Sequence, residues 1–182
     1  VTKPDRLDDL VQRRDQEAQK DVLGILYVFW AVMNILGVWI NVLVWSSPLF
    51  WALWIPVGLV LMTAILYRKT NDLGRALWDR IAAPQIWIVT VACLPVFIWV
   101  FPEVLHLYPH RWIFPLTTAW VALSLYVVGV FNKQVSLSLG ALAFGIAAPL
   151  FLLFPFQGPW IFTATNVLGL LIPGLVIRRG RP

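Results

Sequence analysis

The sequence predicts an all-α, polytopic integral membrane protein: six transmembrane helices in three hairpins, with both termini on the cytoplasmic side. Three observations predict it. Of 182 residues, 60% are hydrophobic and 13% charged, with a mean hydropathy of +0.78. A soluble domain carries about 25% charged residues. Apolar stretches without a single Asp, Glu, Lys or Arg recur along the chain, the first being the 24 residues from Val22 to Trp45. The polar segments between them divide the basic residues so unevenly that 13 of the 14 fall on one side, leaving only Arg111 on the other.

Residues 1–21 form a charged arm. Beyond Pro4 and Asp5, which suit a helix start, Arg6 to Asp21 contains no Gly or Pro and is rich in helix formers, so it is read as a helix that can run into the first span. It is not read as a signal peptide, because the apolar run behind it is too long for an h-region and lacks a small-residue cleavage pattern. Val22 to Trp45 at 1.5 Å per residue covers about 36 Å, enough for a ~30 Å hydrocarbon core with some tilt. Ser46-Ser47-Pro48 breaks the run, and a second span of 19 residues, Leu49 to Tyr67, stops at Arg68-Lys69. In hydrocarbon the backbone must satisfy its own N–H and C=O groups, and nothing here has the alternation of a barrel strand, so these segments are helices.

Between Arg68 and Gln85 the pattern is amphipathic. Asn71 or Asp72 is the expected cap of a short interfacial helix carrying Leu73, Leu77 and Ile81, with Arg75 and Arg80 facing anionic lipid, and Pro84 ends it. The third span, residues 86–101, has 16 residues and contains Pro95. The fourth covers residues 113–131, the fifth 135–154 and the sixth 160–177. The membrane domain thus runs from 22 to 178, and residues 179–182 form a basic tail. By the positive-inside rule the side holding Lys3, Arg6, Arg13, Arg14, Lys20, Arg68, Lys69, Arg75, Arg80, Lys133 and the terminal arginines is cytoplasmic, in a plasma (inner) membrane.

Within the spans, small and amide residues mark the helix contacts. Ala31, Asn34, Val38 and Asn41 fall on one stripe of the first span, with Gly37 beside them. Ser138, Ala141, Gly145 and Ala148 do the same on the fifth, and Asn166, Gly169 and Pro173 on the sixth. Small residues let backbones approach, and an amide in lipid needs a partner across the contact. The expectation is that the first, fifth and sixth spans meet through Asn34, Gly37, Asn41, Ala141, Gly145, Asn166 and Gly169. The other reading of Asn34 and Asn41 is a solute path.

The stretch from Arg6 to Tyr67, with its charged lead RLDDLVQRRDQEAQKD, Asn41, the SSP turn and the aromatic LFWALWIPVGL after it, resembles the bacterial two-transmembrane-helix domain family. The resemblance covers about a third of the chain. It implies a helical hairpin with a cytoplasmic lead, of a kind found alone or attached to histidine kinases and DNA-binding response regulators.

Chemistry is sparse. No ionisable Asp, Glu, Lys or Arg lies inside a proposed span, and such residues are the usual mark of proton relays and ion paths. His106 and His110, four apart, together with Glu103, are the candidate metal ligands. Pro109 opposes a shared helical face for them, because the residue before a proline is pushed out of helical geometry. Their expected role is therefore none, and no cofactor is expected. The chain is read as a non-enzyme with an accessory, sensory or assembly role exerted through helix contacts and the arm. The rival is a small transporter or channel-like subunit for an apolar or weakly polar solute. The bilayer is the expected partner, with another membrane protein or a second copy beside it. Nucleic acid is not expected, because the basic residues follow topology and are not gathered on one element.

Overall fold

The computed structural model describes residues 3–44, 48–73, 105, 107, 109–131 and 134–179. Among them all regular structure is helical. The elements are α1 (Lys3–Leu43), α2 (Pro48–Leu73), α3 (Ile113–Phe131), α4 (Val135–Leu153), α5 (Gly158–Asn166) and α6 (Ile172–Arg179). A five-residue π turn, Val167–Leu171, joins α5 to α6 into one last helix, and single 3-10 turns precede α3 (His110–Trp112) and α5 (Pro155–Gln157). Four helices are long and apolar enough to cross a membrane: Lys20–Leu43 within α1, Ile113–Val130, Val135–Leu153 and Pro155–Arg179. The apolar section of α2, Leu53–Ile65, is shorter. The protein is thus an all-helical, membrane-embedded molecule.

Helix neighbours follow the order α2, α1, the last helix, α4, α3, so the last helix lies between α1 and α4. Every adjoining pair is antiparallel. Gly24 meets Gly174 while Asn34 bonds Asn166 further along, which sets α1 against the last helix. Trp54 reaches Met33 and Trp30 reaches Met62, setting α2 against α1. Gly140 meets Gly169 and Phe151 meets Phe162, setting α4 against the last helix. Gly129 meets Ser138 and Phe114 stacks on Phe151, setting α3 against α4.

The two ends of this bundle differ in chemistry. One end collects Lys20, Asp21, Arg68, Arg178 and Arg179. There the Arg178 guanidinium Nε lies 3.7 Å from Asp21 Oδ1, with Asp21 only 14% exposed. A half-exposed pair of this kind contributes about 1 kcal/mol or less. The other end collects rings: Trp39 on Trp160 at 4.8 Å between centroids, and a chain from Trp51 through Phe162 and Phe114. Between the ends, Leu23, Leu26, Tyr27, Leu125, Leu137 and Leu170 are fully buried. Outward faces such as Leu53, Val60, Leu123, Leu139 and Ile146 are apolar and exposed, as lipid-facing surfaces are.

Several expectations meet a different outcome. The second helix does not stop at Arg68-Lys69, and Asn71 and Asp72 do not cap a new helix, because α2 continues through both to Leu73. Arg, Lys and Leu are good helix formers, so the helix carries on past the end of the apolar run. The continuation of the charged lead into the first span is as expected: α1 runs unbroken over residues 3–43. The proposed third span at 86–101, the interfacial helix with Arg75 and Arg80, Ser46-Ser47 and the last three residues of the tail lie outside the described residues.

Candidate functional site

The site is built where the last helix crosses α1 inside the apolar layer. Asn166, the last residue of α5, is 0% exposed. Its carboxamide Oδ1 accepts a hydrogen bond from Asn34 Nδ2 on α1 at 2.8 Å, and its own Nδ2 donates to the Phe162 carbonyl at 2.8 Å. One turn nearer the aromatic end, Trp39 Nε1 donates to Thr163 Oγ1 at 3.1 Å, and that hydroxyl donates to the Pro159 carbonyl at 2.8 Å. On the last helix both acceptors, Asn166 and Thr163, hand a donor back to their own backbone, while Asn34 and Trp39 of α1 donate across the contact. In double-mutant cycles, bonds of this type between membrane helices average about 0.6 kcal/mol, with a maximum near 1.7.

The π turn begins at the residue after Asn166. Pro173 lies six residues on and has no N–H to give the carbonyl of Gly169, so the helix lacks that bond where it widens, whereas Pro56 and Pro149 sit within α2 and α4 without such a turn. The consequence is a change of register. Eight residues of regular helix would turn Gly174 about 80° away from Asn166. The wide turn takes up the extra residue and brings Asn166, Gly174 and Arg178 onto one side, facing Asn34, Gly24 and Asp21 of α1.

Gly169, inside the turn, faces the other way. Its carbonyl oxygen stands against Gly140 of α4, backbone to backbone, and the Phe144 ring of the same helix covers it. A Cβ at Gly140 would run into the Gly169 carbonyl oxygen and lie 3.2 Å from its carbon, whereas a Cβ at Gly174 would lie 2.9 Å from Tyr27 Cβ and 3.0 Å from the Gly24 carbonyl oxygen. Asn166 and Gly169 therefore do not share one stripe. They serve two different neighbours.

The other expected contact residues distribute as follows. Gly37 is covered by Trp54, whose Nε1 would be 2.6 Å from an added Cβ and donates to the Met33 carbonyl at 3.0 Å. Asn41 is half-buried two turns beyond Asn34. Ala141 is buried on α4, but Gly145 is exposed with open space around it. The close-packed face of α4 runs through Leu137, Gly140, Ala141, Phe144, Ala147 and Phe151, so the expected stripe divides: Ala141 packs inward, Ser138 meets Gly129 of α3, and Gly145 faces outward. Gly140 is the position that the spacing pattern missed. Of the metal candidates, Glu103 and His106 lie outside the described residues, and His110 opens the 3-10 turn whose Trp112 N–H bonds the Pro109 carbonyl at 2.9 Å. Among the described residues no cluster of three metal-binding side chains occurs.

Comparison with protein-family models, with curated proteins and with solved structures finds no match to this chain. The resemblance of residues 6–67 to the two-transmembrane-helix domain family rests on residue types alone.

If the π turn sets register, deleting one residue within it keeps both flanking faces in phase. A Leu168 deletion is expected to yield a folded, monodisperse protein in detergent. Deletion of Leu142 from the uninterrupted α4 rotates everything beyond it by about 100° and is expected to aggregate. Equal loss in the two deletions, read by size-exclusion chromatography, would refute the register role.

Proposed function

We propose that this chain is a six-span protein of the bacterial inner (plasma) membrane, with both termini cytoplasmic. In this reading it acts without catalysis, as an accessory, sensory or assembly subunit working through helix contacts and the arm of residues 1–21. The observation that carries the reading is the engagement of the polar groups. Asn34, Asn166, Trp39 and Thr163 are joined to one another in pairs across a tight helix contact, which favours a packing role for them over the lining of a solute path.

Helix directions support the count of six. Antiparallel packing places Leu73 of α2 at the charged end and Ile113, the start of α3, at the aromatic end. An odd number of crossings between them is what this reading needs, and residues 86–101 are the apolar stretch of the sequence proposed for one. The placement of Lys20, Arg68, Arg178 and Arg179 at a single end supports the orientation through the positive-inside rule.

Topology is checked by single cysteines in a Cys93→Ser background. Positions 75 and 133 are expected to resist a membrane-impermeant maleimide in intact cells, and positions 47 and 106 to react. External labelling at 75 or 133 would overturn the six-span arrangement. For the role itself, a protein retained in mild detergent by the full chain should be lost when residues 1–19 are removed. Solute uptake into proteoliposomes that Asn166→Leu abolishes would instead establish the transporter reading.

A further inference from the structure

The turn joining α4 to α5 exposes more apolar surface than any water-facing loop should. Phe156 is 99% exposed, Leu153 69% and Trp160 67%, with Phe154 and Leu152 exposed beside them. Pro155–Gln157 form a single 3-10 turn, so these side chains are held on a short, ordered connection between two helices. No charged residue occurs from Gln134 to Ile177, so this end of the hairpin carries no side chain that demands bulk water.

Length fixes the depth. The start of α4 follows the polar Asn132-Lys133-Gln134 of the sequence, which marks one boundary of the hydrocarbon in the membrane reading. The 19 residues of α4 rise about 28 Å, close to the ~30 Å core, which puts Leu153 at the opposite boundary. Phe156 follows within one 3-10 turn, about 6 Å further at most, which is no thicker than one headgroup layer. The lipid-facing band of α4, Leu139, Leu142 and Ile146, leads to Leu153 without a polar interruption, and Trp160 sits on Trp39 at this same level as an interfacial ring pair.

We infer that the α4–α5 turn is a lipid-binding surface seated in the headgroup layer, with Phe156 inserted among the upper acyl chains. The partner is the bilayer interface, and because the turn is uncharged the insertion does not depend on anionic lipid. The hairpin then offers no ligand-binding loop at this turn. This rests on the membrane reading above, and the test separates the two.

The full chain with Cys93→Ser and Phe156→Cys is labelled with a nitrobenzoxadiazole fluorophore and reconstituted in phosphatidylcholine vesicles, with and without phosphatidylglycerol. Nitroxide lipids spin-labelled near the headgroup are expected to quench at least twofold more than those labelled deep in the chain, and more than aqueous iodide, equally in both lipid mixtures. Phe154→Cys, labelled in the same way, is expected to behave alike and guards against a local effect of one substitution. Stronger quenching by iodide would place the turn in water, and protection from every quencher would mean that protein covers it. Either result overturns the inference. Leu142→Cys, at mid-depth on α4, reports on the parent reading: deep nitroxides must quench it, and their failure would remove the membrane placement together with the inference.

Discussion

Replacing Gly140 by leucine is expected to abolish the native fold, while the same replacement at Gly145 is expected to leave stability within about 0.5 kcal/mol of the parent. The two glycines are five residues apart on one helix, and their surroundings decide the difference. At Gly140 the added Cβ meets the backbone of Gly169, which no rotamer change can move aside. Insertion into a packed interior typically costs about 1–3 kcal/mol when side chains can yield. Against a rigid carbonyl even Gly140→Ala should reach the upper part of that range, and leucine forces α4 and the last helix apart. At Gly145 there is open space and lipid. Thermal unfolding in detergent, followed by size-exclusion chromatography, measures both. A Gly140→Leu protein that melts with the parent would show that the Gly140 to Gly169 contact does not hold these helices together.

Asn166→Asp is the second large effect. The substitution is nearly isosteric, yet it places an acid where the side chain is fully buried at mid-helix. It also removes the donor that satisfies the Phe162 carbonyl. A charged aspartate at the centre of a membrane helix costs about 2.5–3.5 kcal/mol on insertion scales. Asn166→Leu, by contrast, removes both the amide and its need for partners, and should cost about 1 kcal/mol or less. The expected order of melting temperatures is parent, then Asn166→Leu, then Asn166→Asp, with Asn34→Asp milder than Asn166→Asp because Asn34 is only half-buried. If Asn166→Leu proved the more damaging of the two position-166 variants, the amide would be serving something other than a packing bond.

These two sites also show what can be read from the sequence. An amide inside an apolar run has few acceptable surroundings, so Asn34 and Asn166 could be assigned to helix contacts before their partner was known. Gly145 could not be distinguished from Gly140 by the same reasoning. In a soluble helix the polar face identifies the outside, whereas here both faces of α4 are apolar, and a stripe of small residues through Gly145 reads as well as one through Gly140. The split between Asn166 and Gly169 was hidden for a related reason. Three-four spacing assumes a uniform helix, and the π turn breaks that assumption between these two residues. Pro173 was visible as a disturbance, but sequence spacing does not say whether a proline produces a kink or a wider turn.

The unbroken course of α1 has a mechanical consequence. Its 41 residues measure about 61 Å, and the 17 residues between Lys3 and Lys20 carry about 25 Å of that length past the charged end of the bundle. A helix transmits bending and torsion along its axis, and no glycine or proline lies between Asp5 and Leu23 to absorb either. The inner part of the rod is clamped at two heights, by Gly174 against Gly24 and by Asn166 on Asn34. The nearer clamp point, Gly24, is about 32 Å from the tip, so a tilt of about 10° there sweeps the tip through about 5.5 Å, and a twist arrives there undiminished. Small displacements among the membrane helices are thereby enlarged into movements the size of a side chain at the far end of the arm.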